Sequence, residues 1–406
     1  MPHVCAYFFR QLRTILSLSL ALLPLWTSAG EKPLKVFVLV GQSNMQGHAH
    51  VRTFEHVGMD PKTAPLLELM VTESGSPREC DQVWISYLSQ GGVRSGRLTA
   101  GFGANEEKIG PEYTFGITVQ EKLQEPVLII KAAWGGKSLN TDFRSPSAGP
   151  YAFSDTQMEQ FKKQGKDLDQ IRQAKTDATG HYYRLTVAHV KETLDKIEEI
   201  IPAQYLKHGH TLAGFVWFQG WNDMVDRGTY PKRDQAGGYD AYSHAMAHFI
   251  RDVRRDLSAP ELPFVIGVLG VGGPVEKYLP DQKRYEGIHS NFRSAMATPA
   301  SMPEFRNNVA AVLTENYWDM ELRDLRAKEN AARQKARQIQ REKKLDRKEQ
   351  NALVERLREE ALTDSERAIL AKGVSNAEYH YLGSAKIMAQ IGRGFAQAAL
   401  ELLRKR

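Results

Sequence analysis

The sequence predicts an α/β protein whose parallel sheet is covered by helices on both faces. Five short apolar runs without polar alternation have the length of strands buried on both faces. They are residues 36–40, 127–130, 214–218, 264–268 and 309–313. Apolar residues recur at helical spacing before the third and fourth runs, and residues 384–403 form a further amphipathic helical pattern. Strands that alternate with helices favour a parallel sheet, although spacing does not give the strand order.

The first thirty residues have the pattern of a secretory signal peptide. Arg10 and Arg13 precede an acid-free apolar run at 15–26, and small residues follow at 27–29. Because the run is short for a membrane span, we expect cleavage near residue 29 or 30 and an exported protein without a stable membrane anchor. Cys80 is then the only cysteine of the mature chain, so no intramolecular disulfide is expected.

Composition indicates a globular protein without a nucleic-acid-binding face. The chain has 406 residues, 42% of them hydrophobic and 25% charged, which is enough for a sizeable core. Its formal net charge is +6, and residues 321–360 alone carry 13 basic and 9 acidic side chains. Since the basic excess lies mostly in that one segment, the rest of the chain is close to neutral, and no nucleic-acid partner is expected.

Three long polar stretches interrupt the predicted strands. Residues 48–112 and 140–180 are predicted to be loops that overhang the carboxyl edge of the sheet and shape a substrate cleft. Residues 321–360 contain no Gly or Pro and predict one long helix or a helical hairpin. We therefore expect a main domain over 31–320 and 371–406, with a charged helical insertion at 321–370. This insertion is either a solvated excursion or an arm for self-association or partner binding.

Ser43 is the first candidate nucleophile. It lies in Gly41-Gln42-Ser43-Asn44-Met45, directly after the first apolar run. A strand that ends in this way places a serine hydroxyl at the carboxyl edge of the sheet, where open α/β sheets carry out their chemistry. Serine is a weak nucleophile without a base and without donors for the oxyanion, so both are expected elsewhere in the chain.

Two glycine-containing turns follow the next predicted strands and supply candidate donors. Residues 134–138, Trp-Gly-Gly-Lys-Ser, offer unobstructed backbone N–H groups. Residues 219–223, Gln-Gly-Trp-Asn-Asp, offer the uncharged amides of Gln219 and Asn222. Each turn taken singly is equally well explained as a tight strand-to-helix connection, but two of them beside Ser43 indicate a site.

His380 is the candidate base, because it lies just before the last predicted helix, at the same edge of the sheet. A buried structural histidine is the alternative. His48 and His50 form an H-x-H pair close to Ser43, but no third ligand stands at a recognisable spacing. We therefore expect neither a metal site nor a cofactor.

Together these blocks resemble the SGNH hydrolase superfamily, and within it the sialate O-acetylesterase-like branch, which includes the carbohydrate esterase family 6 acetylxylan esterases. The four blocks occur in the family's order. The resemblance implies a three-layer α/β/α, flavodoxin-like fold with a five-stranded parallel sheet. It also implies metal-independent removal of acetyl groups from carbohydrate hydroxyls. The domain over 31–320 and 371–406 would then be an SGNH-type esterase domain.

The resemblance assigns roles to the site residues. It implies Ser43 as nucleophile, His380 as general base, and the N–H groups of Ser43 and of Gly136 or Gly135 as oxyanion donors. A side-chain amide completes the oxyanion hole. The superfamily's Gly-x-Asn-Asp block favours Asn222.

The esterase branch instead has Gln-Gly-Glu at that place, which favours Gln219. In this chain Trp221 stands where the esterase branch has that glutamate. Glu112, in Gly110-Pro111-Glu112, also resembles a family motif, and we expect it to be structural.

The acid of the triad is left open by the sequence. The superfamily normally places aspartate three residues before the histidine, and Ala377 occupies that position. Glu378 is the nearest carboxylate and is the first candidate. Glu315, Asp319 and Asp223 are others, and a Ser–His dyad oriented by a backbone carbonyl is a further alternative.

The sequence thus predicts an exported carbohydrate O-acetylesterase, of sialate or acetylxylan type, that acts on an acetylated carbohydrate through an acetyl-enzyme intermediate. A non-catalytic glycan-binding or assembly module on the same scaffold is the alternative, motivated by Ala377 and by the 321–370 segment. A lipid or peptide esterase is a third hypothesis, which the polar loops disfavour.

Overall fold

The computed structural model describes residues 32–405, so the predicted signal peptide lies outside the described residues. The strands are β1 Leu34–Gly41, β2 Ala49–His50, β3 Val83–Ser89, β4 Gly92–Arg97, β5 Lys108–Ile109, β6 Val127–Ala133, β7 His210–Phe218, β8 Phe264–Val268 and β9 Val309–Leu313. The helices are α1 Ser43–Gln46, α2 Phe54–Gly58, α3 Ala64–Met70, α4 Glu112–Leu123, α5 Asp155–Lys163, α6 Leu168–Ala178, α7 His181–Asp195, α8 Trp221–Val225, α9 Asp240–Asp256, α10 Glu286–Ala297, α11 Met320–Lys343, α12 Arg347–Ala361, α13 Asp364–Gly373 and α14 Ala385–Arg404.

Seven strands form the central sheet, in the order β4-β3-β6-β1-β7-β8-β9. All neighbours are parallel except β4, which pairs antiparallel with β3. The five predicted runs are strands of this sheet, which confirms the α/β fold class. The predicted count of five strands is wrong, because a hairpin within 48–112 adds β3 and β4. The second strand of this hairpin is a polar, largely exposed edge strand without an apolar signal.

Helices cover both faces of the sheet, as the three-layer α/β/α prediction requires. On one face α14 packs against α4 and against β7, β8 and β9. On the other face α9 places Phe249 against Trp217, with ring centroids 4.5 Å apart. The predicted loop stretch 140–180 contains α5 and α6, two short polar helices that the sequence analysis missed.

β1 is the centre of the sheet and positions the site. Residues 36–40 are completely buried. Gly41 pairs with Ala133 on one side and with Phe218 on the other, so the carboxyl ends of three strands meet. A Cβ on Gly41 would lie 2.1 Å from the carbonyl oxygen of Phe218, which explains why this position requires glycine. Because β6 and β7 flank β1 on opposite sides, the loops that follow these two strands frame a crevice above the end of β1.

The charged segment at 321–370 folds as a helical hairpin. α11 packs against α12 through a small apolar cluster that includes Ala336 and Leu357, and α13 leads the chain back to α2. Glu329 is buried within α11 and forms ion pairs with Arg326, Arg333 and Arg358. Across residues 32–405, none of the helices combines the length and the apolar character that crossing a membrane requires.

Candidate active site

Ser43 begins helix α1 at the end of β1. The residue is close to fully buried, at 9% exposure. The N–H groups of Met45 and Gln46 donate to the carbonyl oxygen of Gln42 and close the first turn. The N–H of Ser43 itself belongs to that first turn, where no helix carbonyl accepts it. The hydroxyl and the free N–H therefore both lie at the carboxyl edge of the sheet.

Gln42 fixes the orientation of Asn222. Gln42 Oε1 accepts hydrogen bonds from the N–H groups of Gly220, at 3.1 Å, and Asn222, at 3.4 Å. Because a backbone N–H only donates, these bonds leave Gln42 Nε2 as a donor, and it binds Asn222 Oδ1 at 2.9 Å. The Nδ2 group of Asn222 is thus the part of this amide that remains available to a ligand. The sequence analysis did not identify Gln42 as part of the site.

Gln219 is engaged elsewhere in the protein. It is buried, and its Nε2 donates to the carbonyl oxygen of Lys137 at 3.0 Å and to Asp223 Oδ2 at 2.6 Å. Its Oε1 accepts from the hydroxyl of Tyr242. Both ends of this amide are therefore occupied, in contrast to Asn222.

Asp223 organises the loop after β6. Its carboxylate accepts from the N–H groups of Leu139 and Asn140, from Gln219 and from the Tyr230 hydroxyl. Burial raises the pKa of Asp223 to about 6, although these hydrogen bonds favour the charged form. Among the described residues, these four groups are the hydrogen-bond partners of the Asp223 carboxylate, and His380 is not one of them.

The glycine turn after β6 lies beside helix α1. Gly136 has φ +73°, a left-handed conformation that favours glycine, and it is exposed with open space where a Cβ would stand. Gly135 is closer to α1, since a Cβ there would lie 3.2 Å from Gln46 Oε1. The turn therefore allows a substrate to approach its backbone.

His380 is oriented by Asn376, a residue that the sequence analysis missed. The side-chain oxygen of Asn376 lies 3.0 Å from Nδ1 of His380 and also accepts from the N–H of Ala377 at 2.7 Å. The backbone donor identifies this atom as the amide oxygen, so His380 carries its proton on Nδ1 and has a lone pair on Nε2. Burial first, and then the charge of Lys108, lower the pKa of His380 to about 4.

The turn that directly follows His380 contains unusual backbone. Tyr381 and Leu382 have φ of +53° and +60°, values that larger side chains rarely adopt. The hydroxyl of the fully buried Tyr381 holds the turn in place, because it accepts from the N–H of Gly270 and lies 2.7 Å from Thr314 Oγ1. The turn also packs against α1, so the segments of Ser43 and His380 are in contact.

The carboxylates considered for the triad have other partners. Glu378 is exposed and accepts from Gln282 at 3.3 Å. Glu315 pairs with Arg293, and Asp319 binds His56 and Lys386, each at 3.0 Å. In residues 32–405, none of the carboxylates considered accepts from Nδ1 of His380, because Asn376 takes that place.

His48 stacks on His380. Their ring centroids are 3.9 Å apart and the planes differ by 3°. Burial first, and then the nearby charge of His380, lower the pKa of His48 to about 3, and its Nδ1 is buried without a hydrogen-bond partner. His50 instead faces Glu107. Among the described residues, no group of three or more His, Cys, Asp or Glu is arranged to hold a metal ion.

A buried ion pair supports the end of helix α1. Lys131 and Glu112 are fully buried and lie 2.6 Å apart, and Lys131 also donates to the carbonyl oxygen of Gln46 at 3.0 Å. Glu112 further accepts from the N–H of Gly110. Burial raises the pKa of Glu112 and lowers that of Lys131, each against the charge of its partner. A lysine inside the apolar strand β6 was the available sequence signal for this buried ion pair, and the sequence analysis missed it.

The sheet has helices on both faces and a serine turn at the end of its central strand, so the fold is a three-layer α/β/α arrangement with a candidate serine site. The chain belongs to the family described as carbohydrate esterase, sialic acid-specific acetylesterase, whose model matches residues 33–302. This membership confirms the predicted family and the predicted enzyme class, a carbohydrate esterase. The matched span includes Ser43, Gly136 and Asn222 and ends before His380.

Three solved structures are similar to this chain at low sequence identity. A protein from Arabidopsis thaliana has 18% identity and a TM-score of 0.37, covering 70% of this chain and 86% of that one. A carbohydrate acetylesterase from Xanthomonas citri has 12% identity and a TM-score of 0.37, covering 70% and 51%. The structure of NanS has 13% identity and a TM-score of 0.34, covering 69% and 77%. No curated protein matches the chain in sequence.

Proposed function

We propose that this protein is a serine-dependent carbohydrate O-acetylesterase in which Asn376 takes the place of the usual acidic residue. The observation that carries the proposal is the hydrogen bond from His380 Nδ1 to Asn376 Oδ1, at 3.0 Å. It leaves Nε2 of His380 unprotonated and able to act as a base. A neutral asparagine has the same orienting role in the Cys-His-Asn hydrolases.

The reaction then proceeds in two halves. Nε2 of His380 takes the proton of Ser43 Oγ as that oxygen attacks the acetyl carbonyl carbon. The imidazolium returns its proton to the departing sugar oxygen, which leaves an acetyl group on Ser43. Water then attacks the acetyl carbonyl carbon while Nε2 of His380 takes its proton. The imidazolium returns that proton to Ser43 Oγ as the ester bond breaks and acetate leaves.

Three neutral donors serve the oxyanion in this proposal: the N–H of Ser43, the N–H of Gly136 or Gly135, and Nδ2 of Asn222. The choice of Asn222 over Gln219 is supported by their hydrogen bonds, since the donors of Gln219 already bind Lys137 and Asp223. Donors of this kind stabilise negative charge that develops only in the transition state.

Substitution of Ser43 tests the assignment. The variant Ser43→Ala is expected to lose all measurable hydrolysis of an aryl acetate, and a fluorophosphonate probe is expected to label Ser43 in the wild-type protein only. Retained hydrolysis by the purified variant would refute the proposed nucleophile. A wild-type protein that neither hydrolyses nor labels would support the alternative, a non-catalytic glycan-binding or assembly module, which Ala377 and the 321–370 segment motivate.

The substrate is proposed to be an acetylated sugar of sialate or acetylxylan type, and the protein is proposed to be exported. Export is supported by the signal-peptide pattern of residues 1–30. N-terminal sequencing of the protein secreted by an expressing cell tests it, and we expect the mature chain to begin near residue 30 or 31. Self-association through the 321–370 segment stays a prediction, to be tested by light scattering.

A further inference from the structure

A large cavity opens beside the candidate active site. Its volume is about 930 Å³, and its wall includes Trp221 and Tyr379, the chain neighbours of Asn222 and His380. Ligand cavities commonly measure about 300–1,000 Å³. This cavity is thus at the upper end of that range and has room for more than the acetylated sugar itself.

Helix α11 of the helical hairpin forms one wall of the cavity. Its residues there recur every three or four positions from Arg323 to Gln334, so one face of the helix is turned towards the cavity. That face is about 16 Å long at 1.5 Å per residue. The family match ends at residue 302, so this wall lies outside the matched part of the chain.

The α11 wall offers unoccupied amides. Asn330 and Gln334 are exposed, and in the described part of the chain neither side chain makes a hydrogen bond. An amide both donates and accepts, as recognition of sugar hydroxyls requires. The helical hairpin therefore presents hydrogen-bonding groups to the cavity.

Exposed aromatic rings line the same cavity. Tyr379 and Tyr285 are 44% and 39% exposed, and Trp221 lies against Tyr379 with ring centroids 5.6 Å apart. Aromatic faces provide rigid apolar contact area next to polar edges. Such a surface suits the apolar face of a sugar ring.

The charge on the wall is positive. Five arginines and two acidic residues, Asp281 and Glu378, line it. Among the described residues, Arg227 forms no ion pair or hydrogen bond, and the guanidinium of Arg284 only stacks on Tyr285. The other three arginines are occupied by protein groups: Arg233 by Met224, Arg323 by Asp324 and Arg326 by Glu329. Two unpaired guanidinium groups are well suited to carboxylate or sulfate.

We propose that this cavity binds the sugars next to the acetylated one in an anionic oligosaccharide, with α11 as the wall that recognises chain length. This inference rests on the proposed esterase function and adds a substrate class to it. The arginines Arg227 and Arg284 bind the acidic groups, and the amides Asn330 and Gln334 bind hydroxyls of the extended chain.

The test compares three substrates with the full-length protein: an O-acetylated acidic oligosaccharide, its carboxyl-reduced neutral counterpart, and an O-acetylated monosaccharide. We expect the acidic oligosaccharide to have the highest kcat/KM. The double variant Arg227→Gln/Arg284→Gln is expected to lower the acidic-to-neutral ratio of kcat/KM about tenfold. Asn330→Ala/Gln334→Ala is expected to lower the ratio of oligosaccharide to monosaccharide by a similar factor.

Arg337→Gln and Lys335→Ala, exposed positions of α11 outside the cavity lining, are the matched controls and leave both ratios unchanged. Hydrolysis of an aryl acetate by each variant normalises for folded protein. If aryl acetate hydrolysis persists and the kcat/KM ratios are equal in the wild type and in the cavity variants, this inference is overturned. Loss of aryl acetate hydrolysis in the wild type would instead refute the esterase function itself.

Discussion

Asn376 Oδ1 lies 3.0 Å from Nδ1 of His380, in the position of the acid in a serine hydrolase triad. An amide oxygen selects the same histidine tautomer as a carboxylate but supplies no negative charge to stabilise the imidazolium. Burial, and then the charge of Lys108, lower the pKa of the half-buried His380 to about 4, and the neutral Asn376 does not oppose this shift. In the proposed site, the histidine is a weaker base than one paired with a carboxylate, but its neutral form is present over a wider pH range.

Asn376→Asp is expected to raise the pKa of His380, because a carboxylate favours the imidazolium. In the wild type, the acid limb of kcat/KM should lie near pH 4, the pKa of His380, since protonation below that pH removes the base. The aspartate should move this limb upward by about one to three pH units. The measurement is the pH profile of aryl acetate hydrolysis, and an unmoved limb would contradict the assigned pair.

Asn376→Ala is the control for this experiment. It removes the orienting acceptor without adding charge, so we expect kcat to fall at least about tenfold. A variant with wild-type kcat would show that the histidine is held in place without Asn376.

Asn222→Ala and Gln219→Ala should have different effects. Loss of an oxyanion donor costs about 10²–10³ in kcat, so we expect Asn222→Ala to lower kcat by that factor with little change in thermal stability. Gln219→Ala should instead lower the free energy of unfolding by about 1–3 kcal/mol, because buried Asp223 loses a donor. Kinetics and thermal unfolding of both variants separate the two roles, and the reverse pattern would make Gln219 the oxyanion donor.

Lys131→Met should destabilise the fold by about 3–5 kcal/mol, because it leaves the Glu112 carboxyl buried without its cation. The double variant Glu112→Leu/Lys131→Met removes both charges and should be more stable than the single variant. Urea unfolding measures both. We expect the double variant, like Lys131→Met, to have a lower kcat than the wild type. Both variants remove the donor to the carbonyl oxygen of Gln46 at the end of α1. Additive destabilisation by the two substitutions would contradict a coupled pair.

His48→Phe tests whether His48 acts through its ring face or its nitrogens. Phenylalanine keeps a flat ring against His380 and removes a buried nitrogen that has no partner, so we expect nearly wild-type kcat. His48→Ala opens space beside His380 and should lower kcat about tenfold. Similar losses in both variants would point to a role of the His48 nitrogens. Dialysis against a chelator, run in parallel, is expected to leave wild-type activity unchanged.

Much of the fold could be predicted from local patterns. The apolar runs at 36–40 and 264–268 were recognised because a strand buried on both faces has no polar positions. The aromatic and β-branched composition of Val83–Ser89 was an available signal for β3. β4 had no such signal, because it pairs only with β3, at the edge of the sheet.

The sequence by itself determined that Ser43, Gly136 and Asn222 follow buried strands, since burial is a property of neighbouring residues. Only the tertiary structure decided their partners. Asn222 is oriented by Gln42, 180 positions away in sequence. Asn376 and His380 are only four positions apart, but their loop is held by the hydroxyl of Tyr381, which binds Gly270 and Thr314 from distant parts of the chain. Hydrogen bonds depend on atomic distances between segments that are far apart in the chain, and local periodicity contains no information about those distances.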